Sequence, residues 1–175
     1  MVRLGFDTVC LYPSTGIMFD SCGSIVFKGN CCIGNNSFIS IGSHGKIVFD
    51  ENFSATTSLK IACYNNIGFG KNVSVGWNCL FIDTDFHSMK FTSGQKTIGY
   101  GKIVIGNNNW IGNNCVILKN TETPDYITIA AGTLLSSSCL NIPEKSIIAN
   151  ERPIKIIGSG VWRDRNDDII NYGKK

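Results

Sequence analysis

Residues Ile105 to Leu135 read IGNNNW-IGNNCV-ILKNTE-TPDYIT-IAAGTL-L. A large apolar residue returns at every sixth place: Ile105, Ile111, Ile117, then a lapse at Thr123, then Ile129 and Leu135. Gly106, Gly112 and Ala130 follow three of these anchors, and small residues such as Cys115 and Thr133 stand four places after. An amphipathic helix would repeat at three and four, and recurrent Gly-Asn-Asn would penalise it heavily. Six is a multiple of the strand period of two. Each repeat is therefore a short strand closed by a tight turn, with Asn and Gly supplying the positive φ that such turns need. A fixed short period of this kind predicts stacked coils, a solenoid.

Working outward, a second motif marks the start of each coil: Gly23-Ser24-Ile25-Val26-Phe27, Gly45-Lys46-Ile47-Val48-Phe49, Asn65-Asn66-Ile67-Gly68-Phe69 and Gly101-Lys102-Ile103-Val104-Ile105. The steps Ile25 to Ile47, Ile47 to Ile67 and Ile67 to Ile103 are 22, 20 and 36 residues, where three hexads need 18. Anchors then fall at Phe27, Ile33 and Ile39; Phe49, Ala55 and Ile61; Phe69, Val75 and Phe81; Ile105, Ile111 and Ile117; and Thr123, Ile129 and Leu135. This predicts an all-β parallel β-helix of about five triangular coils, with Gly16-Ile17-Met18-Phe19 beginning an earlier partial one. The division is 1–142 for the β-helix, with loop 83–102 extruded, and 143–175 for a C-terminal extension covering the open end. Open sheet edges invite unwanted pairing, so a cover is needed. A short helix over Asp164 to Tyr172 is expected there.

The segments Asn109-Trp110-Ile111-Gly112, Ile117-Leu118-Lys119-Asn120 and Ile129-Ala130-Ala131-Gly132-Thr133 resemble those of the hexapeptide-repeat acyltransferases, in the branch acting on sugars and antibiotics. Ile147 to Ile157 resembles that family's ending. The resemblance covers roughly residues 15 to 157 and implies left-handed coils, acetyl-CoA as donor and a homotrimer with sites between subunits.

The long step inserts a polar and aromatic loop, Asp83-Thr84-Asp85-Phe86-His87-Ser88-Met89-Lys90 through Tyr100. Long loops on rigid scaffolds carry function. On the resemblance, His87 is the general base. A neutral imidazole suits removal of a hydroxyl proton near neutral pH. Asp85 is read as the residue that orients it, and Asp83, Phe86 and Trp110 as substrate contacts. By resemblance the coenzyme meets Trp110, Asn113 and the backbone at Ala131. Ser136 and Ser137 stand where the family often has Thr-Lys, so Arg152 and Lys155 are read as the cations for its phosphates. His44, in Gly42-Ser43-His44-Gly45, reads as a solvated turn residue.

The formal net charge is only +3, which gives no reason to invoke nucleic acid or a membrane surface. No run approaches the roughly 20 apolar residues of a membrane span. Eight cysteines without an export signal predict reduced thiols and a cytoplasmic site. Cys31, Cys79, Cys115 and Cys139 fall at small positions of their hexads and read as core residues. Two His do not suffice for a zinc site of the γ-carbonic anhydrase kind, which needs three, so no metal is expected. The function expected is O-acetylation of a hydroxyl on a sugar or surface-polysaccharide precursor by direct transfer. N-acylation of an amino sugar nucleotide, acylation of an antibiotic, and a structural β-solenoid subunit remain open beside it.

Overall fold

A computed structural model describes residues 1–6, 15–150, 161–163, 170 and 172, with backbone alone for 161–163. The chain winds into a three-sided prism. Side one stacks β1 (Val2–Phe6), β4 (Cys31–Gly34), β7 (Phe53–Ala55), β10 (Ser74–Val75), β14 (Trp110–Ile111), β16 (Thr128–Ile129) and β18 (Ile147–Ile148). Side two stacks β2 (Ile17–Ser21), β5 (Ser37–Ile41), β8 (Lys60–Cys63), β11 (Leu80–Ile82), β15 (Val116–Leu118) and β17 (Leu134–Leu135). Side three holds β3 (Ser24–Phe27), β6 (Lys46–Phe49), β9 (Asn66–Phe69) and β13 (Ile103–Ile105). All neighbours within these sides run parallel. Outside the prism, β12 (Met89–Phe91) pairs antiparallel with β19 (Val161–Arg163). The architecture is consistent with the left-handed coil that the resemblance implies.

The six-residue anchors point inward. Ile47, Ile67 and Ile103 are in register on side three and fully buried, although Ile67 and Ile103 flank the long insertion. Each buried Ile or Phe contributes about 1.5–3 kcal/mol relative to exposure. Phe27, Phe49 and Phe69 stack as an internal ladder, with centroids 5.4 and 5.1 Å apart and planes within 9°. The lapse at Thr123 has a local cause. Its side chain is buried, and Oγ1 accepts the Gly106 N–H at 3.1 Å, replacing apolar contact by a bond between coils.

Three expectations are refined. The prism makes about six turns rather than five, because β1 and β2 form a coil before the first anchor and β18 begins one after the last. The N-terminal coil lacks a six-residue signature, and β1 shifts register between Leu4 and Phe6. The second refinement separates the roles of Asn and Gly. Positive φ belongs mainly to Asn: Asn36, Asn52, Asn72, Asn78, Asn108, Asn114 and Asn120 all adopt it. Gly106 and Gly112 do not. They permit close approach instead, since a Cβ would lie 2.4 Å from Pro124 O and 2.6 Å from Ala131 N respectively. On the edge between sides three and one, the turn Asn side chains are also bonded to one another. Asn52 donates to Asn72 at 3.1 Å, and Asn72 to Asn108 at 2.9 Å.

Third, Ile147–Ile148 of the C-terminal extension continues side one by pairing with β16, and β19 lies against the extruded loop. The helix expected over Asp164 to Tyr172 falls almost wholly outside the described residues.

Candidate functional site

The loop leaves the prism on the edge between sides two and three, and its root is closed by hydrogen bonds. Asp83 C=O accepts the Gly101 N–H at 2.9 Å, and the Asp85 N–H donates to Gly99 C=O at 2.7 Å. Farther out the Thr97 N–H donates to Met89 C=O and the Phe91 N–H to Gln95 C=O, both at 2.8 Å. A Gly at Gly94 takes φ +86° at the tip. The insertion is thus a hairpin, flanked along β12 by β19.

Asp83 is fully buried. Its carboxylate accepts the N–H of Tyr64 at 2.7 Å and of Asn65 at 2.8 Å, with the Cys63 thiol 3.4 Å away. Burial pushes its pKa above the usual carboxylate range, against the opposing pull of those amides. This side chain ties the loop root to the preceding coil. Burial, reinforced by the Asp83 charge, pushes the Cys63 thiol up. Asp85 is more exposed and pairs with Lys119, Nζ to Oδ1 at 2.6 Å. Phe86 holds φ +59° and is 44% exposed. His87 follows, half-buried.

Tyr64 joins this edge from the coil before, 5.1 Å edge-on from Phe86 and 5.5 Å from Tyr172. Tyr172 also lies 5.5 Å from Tyr100. Lys119, Tyr64, Thr84 and Tyr172 carry no sequence signal of a role. Lys119 lies inside the quoted Ile117 to Asn120 segment, but its partner is 34 residues away.

The remaining candidates fall elsewhere. Trp110 projects from side one, 60% exposed, between Ser74 and Thr128 in register. Asn113 and Ala131 occupy the edge between sides one and two, where the Gly132 N–H donates to Asn113 C=O at 2.9 Å. Ser136 and Ser137 are exposed, after β17, on the edge that also bears the loop. Arg152 and Lys155 lie outside the described residues. One chain therefore separates Trp110, Asn113 and Ala131 from His87 by the width of side two. The outward row of that side reads Met18, Phe38, Lys60, Leu80, Val116 and Leu134, apolar at all but one place. His44 is exposed on the same edge as the loop, two coils earlier.

The hexad thiols of Cys31, Cys79, Cys115 and Cys139 stay in the core. Cys79 and Cys115 are fully buried, with Sγ donating to Gly112 C=O at 3.0 Å and Ala130 C=O at 3.2 Å. Contact with Cys115 and burial push Cys79 up. Burial and the neighbouring Cys32 push Cys31 up to about 12. An open cavity of about 320 Å3 lies at the start of side one, lined by Met1, Arg3, Asn30 and Cys32, away from the loop. Among the described residues no group of three or more His, Cys, Asp or Glu is placed to hold a metal ion. No helix among them is long and apolar enough to cross a membrane.

No protein-family model matches the chain. It is 25% identical over 144 residues to WbbJ of Escherichia coli strain K12, whose name proposes a lipopolysaccharide biosynthesis O-acetyl transferase. That match covers 77% of this chain and 71% of WbbJ. The polysialic acid O-acetyltransferase OatWY has a similar solved structure, with a TM-score of 0.50 at 21% identity over 91% of this chain and 88% of that one. The likeness to OatWY is one of fold. Both carry the names of O-acetyltransferases, an acyltransferase class.

Proposed function

We propose that this protein transfers an acetyl group from acetyl-CoA directly to a hydroxyl of a saccharide used in surface-polysaccharide synthesis. The observation that carries this reading is the hairpin at residues 83–102, which holds His87 half-buried on the edge of a rigid prism. The sequence match to WbbJ supports the saccharide class. In the reaction the hydroxyl oxygen attacks the thioester carbonyl carbon while the His87 imidazole takes its proton. The C–S bond then breaks, and the imidazolium returns a proton to the leaving thiolate. Asp85, with its charge compensated by Lys119, orients the imidazole. Backbone N–H groups stabilise the oxyanion. Phe86 and Asp83 are read as the acceptor side, Asp83 acting through the loop root it ties down.

Coenzyme A is proposed to run past Trp110, Asn113 and Ala131, with Ser136, Ser137, Arg152 and Lys155 toward its phosphates. The separation of Trp110, Asn113 and Ala131 from His87 within one chain supports a homotrimer. On this reading the apolar row of side two packs around a three-fold axis, with the Asn113 and Ala131 edge of one copy facing the loop edge of the next. Cytoplasmic placement fits the acetyl-CoA requirement and the free thiols of the described cysteines.

The test is a panel of sugars, amino sugars and oligosaccharides with acetyl-CoA, read by free-thiol release and by the mass of the product. An ester on a sugar hydroxyl is expected. Amide products alone would replace the reading by N-acylation. No thiol release with any acceptor would favour a structural solenoid.

A further inference from the structure

Phe86 is a bulky residue held at φ +59° immediately before His87, in a region that such side chains rarely adopt. Conformations of this kind persist only where the surroundings over-determine them. Here the determinant is one buried hydroxyl. Thr84 Oγ1 accepts the Phe86 N–H at 3.0 Å, which closes the turn. The same Oγ1 lies 3.4 Å from Gly99 C=O, on the opposite strand of the hairpin, and 2.5 Å from the Tyr172 hydroxyl. A threonine hydroxyl has one proton and two lone pairs. The assignment that uses all three has Thr84 donating to Gly99 and accepting from both Phe86 and Tyr172.

Tyr172 reaches this point from the far end of the chain, 88 residues away, and its ring packs against Tyr64 and Tyr100. Burial pushes its pKa up, so the hydroxyl keeps the proton it donates. The antiparallel pairing of β12 with β19 is a second, independent attachment of the C-terminal segment to the same loop.

We infer that Tyr172 and Thr84 are positioning residues: the C-terminal segment latches the loop, and the Tyr172–Thr84–Phe86 chain of hydrogen bonds fixes the turn that aims His87. The inference rests on the proposed role of His87 for its effect on turnover, but the latch itself is a structural claim with its own readout. Neither residue touches reacting atoms.

The experiment compares the full-length protein with Tyr172→Phe, Thr84→Val and Thr84→Ser. Tyr172→Phe keeps the ring and removes only the hydroxyl. Losing one such bond is worth about five- to tenfold, so exchange of the Phe86 amide should quicken by about that factor. The His87 imidazole resonances should shift, and they are assignable because the chain has only one other His. Turnover should fall by a similar factor while the KM for acetyl-CoA holds. Thr84→Val should match or exceed this, the double variant should be no worse than Thr84→Val alone, and Thr84→Ser should restore both readouts. Unchanged Phe86 exchange and imidazole shifts in Tyr172→Phe would overturn the latch. So would full turnover in Tyr172→Phe on an acceptor for which His87→Ala is inactive. If the wild type acetylates nothing, the functional reading falls, and amide exchange with the imidazole shifts decides the latch alone.

Discussion

Lys119 Nζ lies 2.6 Å from Asp85 Oδ1, so the coil after the loop neutralises the carboxylate two residues ahead of His87. The two side chains are 25% and 38% exposed, which limits the pair's value to stability. Exposed pairs contribute about 0.2–1 kcal/mol and are screened by salt. A double-mutant cycle with Lys119→Met and Asp85→Asn should return a coupling in that range at low salt, and less at high salt. The catalytic consequence should be larger. Without Lys119 the Asp85 carboxylate is left uncompensated in the loop that carries His87. Turnover in Lys119→Met should therefore fall, and adding Asp85→Asn should recover part of the loss.

His87→Ala should lower turnover by about 10²–10⁴, the usual worth of a positioned base. Its melting temperature should stay near that of the wild type, because His87 lies outside every coil. His44→Ala is the control. A large loss there, or a small one in His87→Ala, would count against the assignment of the base.

Cys115→Ser should leave turnover within several-fold of the wild type. The thiol is fully buried and bonded to Ala130 C=O, so it is inaccessible as a nucleophile. The serine hydroxyl can keep that bond, at a stability cost of about 1 kcal/mol for burying a more polar group. Incubation with acetyl-CoA alone, followed by intact mass, should show no acetyl-enzyme. An adduct would overturn direct transfer.

Sedimentation or light scattering should show a trimer at micromolar concentration, as closed cyclic symmetry favours. Leu80→Glu places a charge in the outward row of side two and should yield monomers without activity. A wild-type monomer that remains active would contradict the shared site.

Asp83 should leave a signature in stability against pH. Burial raises its folded pKa above the unfolded value. A raised acid binds its proton more tightly when folded, so the stability linked to it is complete below the ordinary carboxylate pKa. That part is lost as pH rises through the folded value. The stability of wild type minus Asp83→Asn, from urea titrations, should therefore shrink as pH climbs from about 4 toward neutrality. A difference that grows with pH would show that the amide bonds from Tyr64 and Asn65 outweigh burial.

The prism was legible in the sequence because its determinant is periodic. Ile105, Ile111 and Ile117 repeat at six, and each is buried. The N-terminal coil was only half legible, since Val2 to Phe6 lacks those anchors and is held by pairing with β4. The local pattern marks Gly106 as a turn former, yet its role is set by Pro124 a coil away, a contact no local pattern encodes. The loop was legible as an excess of length. Its internal order was not, because Thr84 and Tyr172 meet across 88 residues, and Asp83 and Tyr64 across 19.

The register across the insertion has a consequence for how such a protein changes over generations. Ile103 meets Ile67 on side three just as Ile67 meets Ile47, although 36 residues separate the first pair and 20 the second. The stack therefore senses only where the hairpin leaves and re-enters, and Asp83 and Gly101 define those points. Apart from Thr84 and His87, the chain between them is a cassette, open to lengthening or exchange without re-solving the core. On the proposed function, altered acceptor choice should thus arise by substitution within the cassette, with the coils inherited unchanged.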